Sequence, residues 1–248
     1  MRKSPRVPVA AALIFALSSP VLARPIGGLW GATASFSFNT YNLGEFNREV
    51  FFLNARELFG SPLSALDPVR WGTGLGASFR HGITRRVFVE GSVERLEAKS
   101  VGGIFSLTQT VLVQLDASLL TGRAGILYAF PVKWGAHLNF GVMAVPVSLN
   151  GRFEVEDSLS TGSLTRFRAS GVGVEFVVAE PEFFIPSQSL RLTFGYRQLT
   201  LSRVTNVETG EPLVRSLSPR DQSEDQLQID YSGVFMRMGL VANFGKGK

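Results

Sequence analysis

Residues 229–244 read IDYSGVFMRMGLVANF, from Ile229 to Phe244. The even positions Val234, Met236, Met238, Leu240, Ala242 and Phe244 are apolar, while Gly233, Arg237, Gly239 and Asn243 at odd positions are small, charged or polar. A period of two puts these sets on opposite faces of one β-strand. An apolar face that ends in an aromatic suits a strand whose outside is lipid.

The same alternation recurs along the chain. Over residues 29–41, Trp30, Ala32, Ala34, Phe36 and Phe38 oppose Gly31, Thr33, Ser35, Ser37 and Asn39. Further strands are expected at 69–80, 87–98, 137–149, 167–179 and 190–203. Within 105–130 the apolar residues sit on odd numbers through Leu115 and switch to even numbers from Leu120. That phase change reads either as a β-bulge in one long strand or as a hairpin within 119–125. Pro146 is expected near a strand end, because a proline in mid-sheet removes a ladder hydrogen bond. Residues 45–59 carry apolar positions at helical spacing, which predicts a short helix in the first long loop. Loops are expected at 100–104, 150–166 and 204–228, and a turn at the prolines 181 and 186.

The first residues read as an export signal over 1–23. Arg2, Lys3 and Arg6 are its basic part, Val7 to Leu17 its apolar part, and Val21-Leu22-Ala23 its cleavage site. Without those three cations, the 25 Lys and Arg of the chain fall to 22 against 20 Asp and Glu. Such a near balance argues against a nucleic-acid partner. The absence of cysteine removes disulfides and a cysteine-borne lipid anchor. No apolar run elsewhere approaches the roughly 20 residues of a membrane helix.

With the bulge reading the strands number eight and the connections alternate long and short. Outer-membrane barrels have this rhythm, with long loops outside and short turns in the periplasm. A soluble barrel is the competing fold. It is disfavoured by aromatics at both ends of the apolar faces, such as Trp30 and Phe38 or Trp71 and Phe79. The chain from residue 24 onward resembles the small eight-stranded outer-membrane barrels of the OmpA transmembrane domain, OmpX and OmpW type. Arg237, Gly239, Ala242 and Phe244 are similar to the C-terminal assembly signal of such barrels, although Ala242 is a weak hydrophobe and residues 245–248 follow the aromatic. The expected fold is therefore all-β: an antiparallel transmembrane β-barrel in an outer membrane. The resemblance implies a monomer whose partners are outer-membrane lipid, lipopolysaccharide and the barrel assembly machinery.

The inward faces are expected to carry Glu90, Glu94, Arg123, His137, Glu175, Arg191, Arg197 and Arg237. Eight strands enclose an interior that side chains can fill, and isolated charges there are costly, so these groups are expected to pair. Inward glycines would make room for the long arginines. Catalysis would need a base within reach of a nucleophile, yet the only histidines, His81 and His137, fall at predicted periplasmic ends. No catalytic, metal or cofactor site is expected. The expected role is structural or surface interaction through the long loops. A narrow channel for small or hydrophobic solutes, as the OmpW resemblance implies, is the alternative, ahead of a lipid-modifying enzyme.

Overall fold

The computed structural model describes residues 28–41, 71–105, 110–132, 136–157, 160–185, 188–213 and 228–245. Eight strands form the sheet: β1 (Trp30–Thr40), β2 (Trp71–Gly82), β3 (Val87–Phe105), β4 (Thr110–Pro131), β5 (Ala136–Asp157), β6 (Ser160–Ile185), β7 (Gln188–Gln198) and β8 (Gly233–Phe244). Each pairs antiparallel with its sequence neighbours, and β8 pairs with β1 from Trp30↔Phe244 to Asn39↔Phe235. The sheet is closed, so the fold is an eight-stranded antiparallel barrel. The export signal 1–23 and the helix expected at 45–59 lie outside the described residues.

The wall is uneven in height. β1, β2, β7 and β8 have 11 or 12 residues, whereas β3 to β6 have 19 to 26. The extra length projects at the upper end, the one that holds Thr40; Trp30 and Phe244 mark the lower end. The stretches 100–104 and 150–166, expected as loops, are mostly strand: β3 runs to Phe105, β5 to Asp157, and β6 starts at Ser160. Their polar residues mark one face of a sheet that stands clear of the barrel.

The phase change in β4 has a different cause from the expected bulge. The register with β3 is continuous from Val87↔Tyr128 to Phe105↔Thr110, so no residue is inserted. Odd residues face inward from Leu115 to Ala129, and the adjacent leucines show it: Leu119 is 1% exposed and Leu120 52%. What changes is the medium on each side. Below Leu120 the outward residues Ile126, Tyr128 and Phe130 are exposed hydrophobics. Above it, outward residues are Gln114, Asp116 and Ser118, and the apolar Leu115 and Leu119 are inside. Leu120 to Phe130 covers about 33 Å of strand, or about 25 Å along the axis at the usual tilt, the height of a lipid-facing band.

A bulge does occur, in β6. Its register with β7 shifts between Val177 and Ala179. Inward residues are odd below it in sequence (Glu175, Val177) and even beyond it (Glu180, Glu182). The turn expected at Pro181 is thus a continuing strand whose faces have been exchanged. Pro146 lies in the middle of β5, not near its end. Pairing with β4 lapses between Thr121↔Val147 and Ala124↔Ala144, which is the gap a missing N–H leaves.

Above the band an apolar cluster fills the interior. Leu96, Leu115, Leu119, Val145, Leu149 and Phe167 on the tall strands pack with Tyr41, Leu199, Leu201, Val204, Ile229 and Tyr231. Thr200–Leu201 pairs with Ile229–Asp230, and Val204–Asn206 pairs with β6. These pairings carry the ladders of β7 with β8 and with β6 upward, so part of the expected 204–228 loop is ordered wall with its apolar side chains turned inward. Tyr41 and Tyr231 meet edge to face there at 5.2 Å.

Candidate functional site

Inside the lipid-facing band the barrel is charged. Five arginines (Arg80, Arg123, Arg191, Arg197, Arg237) and five glutamates (Glu90, Glu94, Glu175, Glu180, Glu182) are buried there, so the described lumen is neutral as a whole. They are brought together in two groups.

The upper group joins Glu94 and Glu175 to three arginines. Arg123 donates from Nη1 to Glu94 Oε2 at 2.8 Å and from Nε to Ser92 Oγ at 2.7 Å. Arg197 donates from Nε to Glu175 Oε1 at 2.8 Å and reaches Glu94 Oε2 at 3.3 Å. Arg237 bridges the same two carboxylates at 3.3–3.5 Å. The ring of Phe235 supports two of these guanidinium groups, at 4.6 Å from Arg237 and 5.7 Å from Arg197. A Cβ at Gly195 would strike that ring. The glycine makes room for the aromatic that carries the arginines, instead of for an arginine itself.

The lower group has the opposite surplus, with two arginines and three glutamates. Arg191 pairs with Glu90 at 2.5 Å and donates to Ser78 Oγ at 2.9 Å. Arg80 pairs with Glu182, which also accepts from Ser189, and stacks over Phe88 at 4.5 Å. Glu180 accepts from Asn139 Nδ2 at 3.0 Å and Thr193 Oγ1 at 2.8 Å, with Arg191 at 3.8 Å. Phe88, Leu127, Ala129, Met143 and Val177 form an apolar patch within the same lumen.

All seven charged residues expected to face inward are buried in these groups. Arg80, Glu180 and Glu182 were missed. Arg80 continues the inward parity of β2 and was legible; the two glutamates were not, because the bulge at Val178 reverses the parity that would have found them. The four residues expected to form an assembly signal divide by face. Arg237 is in the upper group, Gly239 is also inward, and Ala242 and Phe244 face outward, with the Phe244 ring 6.0 Å from Phe79.

Such paired charges hold a shape and leave little for chemistry. Every one of the ten contacts a charge of opposite sign within 4.0 Å. His81 stacks on Trp30 at 3.9 Å, at the lower rim, and His137 is buried at the start of β5. No group of three or more metal-ligating side chains occurs among the described residues.

No protein-family model matches the chain, and no curated protein matches its sequence. Solved structures match in shape at low identity. Ail of Yersinia pestis, in complex with the heparin analogue sucrose octasulfate, is 10% identical with a TM-score of 0.40, over 88% of this chain and 99% of that one. The outer membrane protein OprG from Pseudomonas aeruginosa is 10% identical with a TM-score of 0.46, over 91% and 99%. The outer membrane protease OmpT from Escherichia coli is 8% identical with a TM-score of 0.30, over 92% and 100%.

Proposed function

We propose that this chain is a non-enzymatic outer-membrane barrel with a closed lumen, which anchors a protruding sheet at the cell surface for structural or adhesive contact. The observation that carries this reading is the filling of the interior. Five Arg–Glu pairs' worth of charge occupies the band, and the Tyr41–Tyr231 cluster covers it above. An eight-stranded barrel has room for side chains but little beyond them. A lumen meant to conduct would keep charges solvated and unpaired along a path.

The outward face supports the location. Apolar side chains cover a band about 25 Å high, and aromatics stand at both its edges: Trp71 and Phe38 above, Trp30, Phe79 and Phe244 below. The reading takes residues 1–23 as the export signal. Arg237, Gly239, Ala242 and Phe244 would be the sequence recognised by the assembly machinery, and the barrel would work as a monomer in lipid and lipopolysaccharide.

The test is single-channel recording of the refolded chain from residue 24 in a planar bilayer. Silence from a barrel shown to be inserted and folded is the expected result. Reproducible conductance steps with ion selectivity altered by Arg197→Ala would replace this reading with that of a narrow channel.

A further inference from the structure

The outward face of the tall strands carries a single charged row across four of them. Lys99 on β3 is in register with Asp116 on β4, Asp116 with Arg152 on β5, and Arg152 with Arg166 on β6. These residues line an open groove of about 520 Å³, together with Arg95 and Glu97. Four cations there face two carboxylates, and both carboxylates are engaged. Glu97 meets Arg95 at 3.1 Å. Asp116 accepts from Arg152 Nε at 2.7 Å and from Gln114 Nε2 at 2.7 Å, with Lys99 Nζ at 3.7 Å. Burial of Asp116 works to raise its pKa, but these donors hold the carboxyl below its usual range. Arg166 makes no ion pair among the described residues.

Like charges directly opposite each other on neighbouring strands destabilise a sheet. Asp116 already offsets Arg152, so the charge left over in the Arg152↔Arg166 pair is that of Arg166, and an anion between the two would offset it. Guanidinium groups present planar forks that match phosphate oxygens. The row below adds Ser118 and Asn150, again in register, whose hydroxyl and amide suit sugar hydroxyls. Height selects the source. Asp116 is four residues above Leu120, the top of the apolar band on β4, or about 10 Å along the axis at the usual tilt. That level is the outer margin of the headgroup layer, which adds about 5–7 Å on each side of the hydrocarbon.

We propose that this groove binds the phosphorylated saccharide headgroup of an outer-leaflet glycolipid, with Arg152 and Arg166 sharing a phosphate and Ser118 and Asn150 meeting the sugar. The assignment rests on the membrane orientation proposed above.

The test uses the refolded chain from residue 24 in neutral detergent. It is titrated calorimetrically with a bis-phosphorylated glucosamine-disaccharide glycolipid, with the same glycolipid after dephosphorylation, and with inorganic phosphate. Saturable binding of the phosphorylated form is expected, weakened by salt and lowered at least about tenfold in the Arg152→Ala/Arg166→Ala double variant. Arg85→Ala, in the turn at the opposite end, is expected to leave it unchanged. If the double variant misfolds, Arg166→Gln alone provides the test, because it removes no described ion pair. Equal binding of the dephosphorylated glycolipid, or indifference to these substitutions, would overturn the groove assignment. Inorganic phosphate binding as tightly as the glycolipid would overturn the lipid source. A folded chain that does not insert into liposomes would overturn the membrane reading itself, whereas insertion with unaltered glycolipid binding in the double variant sinks the groove alone.

Discussion

Arg197 on β7 and Glu175 on β6 face each other in register, and the guanidinium Nε donates to Oε1 at 2.8 Å. Both side chains are within a few per cent of complete burial. Glu175 is at the same time held by Arg237 and lies 3.6 Å from Arg123. Arg197→Ala leaves two arginines for the two carboxylates of the upper group, so the charges balance but each carboxylate loses a donor. A hydrogen bond to a charged group contributes about 1.5–3 kcal/mol. Urea unfolding of the refolded barrel in detergent is expected to show a loss of that size. A loss below about 1 kcal/mol would mean that water reaches the group, and would weaken the closed-lumen reading.

The boundary placed at Leu120 gives a test by depth. Ile126 and Ser118 both face outward on β4, one inside the apolar band and one above it. Ile126→Arg is expected to destabilise the bilayer-inserted barrel by about 2–4 kcal/mol, and Ser118→Arg by about 0–1 kcal/mol. Equal costs for the two would show that the change of environment along β4 is not the edge of the membrane.

The bulge in β6 makes a sharper prediction. Deletion of Val178 removes the extra residue, so Glu175 and Glu180 come to lie an even number of positions apart, and Glu180 and Glu182 stay inward in a simple period of two. The variant is expected to form a barrel, seen as retention of the heat-dependent shift in electrophoretic mobility. Deletion of Val174 instead, outside the bulge, takes Glu175 out of phase with Gly173, turns its carboxylate toward lipid and is expected to abolish that shift. Loss of the barrel in the Val178 deletion together with its retention in the Val174 deletion would mean that the bulge is not what aims the two carboxylates.

Tyr231 in the apolar cluster above the charges should titrate late. Burial raises its pKa, and the neighbouring Tyr41 adds to the rise. A raised acid is protonated in the folded state over a wider range than in the unfolded one. Its contribution to stability is full below the unfolded value of about 10 and falls as pH rises above it. Absorbance titration near 295 nm is expected to show a component that appears only as this cluster opens in strong alkali, and Tyr231→Phe should remove it. Ordinary ionisation of every tyrosine near pH 10 would indicate a solvated mouth.

The strand faces were legible because period two survives in every strand of the band except β6, and β1 and β8 match it residue by residue. The eight-strand count followed from the same pattern. The tall sheet above the band was less visible. Asn150, Arg152 and Glu154 have the polarity of a loop, although Gly151, Phe153 and Val155 alternate with them. The reason is physical: beyond the lipid a strand turns its apolar side inward, so its apolar parity is opposite to that of the same strand below. Leu115 and Leu119 against Leu120 and Ile126 carried that information in plain sight, and it was read as a bulge. The actual bulge, beside Val178, has no marker of its own in the sequence, and Glu180 and Glu182 were lost with it. The arginine-facing row at Arg152 and Arg166 was equally hidden, since it needs the register of two strands at once.

The wiring of the lumen also bears on the order of events. Arg80 and Glu182, Glu90 and Arg191, and Glu94 and Arg197 are separated by 102, 101 and 103 residues. In each pair one member comes from β2 or β3 and the other from β6 or β7, so none can be made within a hairpin. A sheet growing one hairpin at a time would present Arg80 and Glu90 to hydrocarbon long before these partners arrived, and Glu94 with Arg123 on β4 alone. Each such exposure costs several kcal/mol. Pairing between the two halves of the chain thus favours insertion coupled to closure over entry one hairpin at a time.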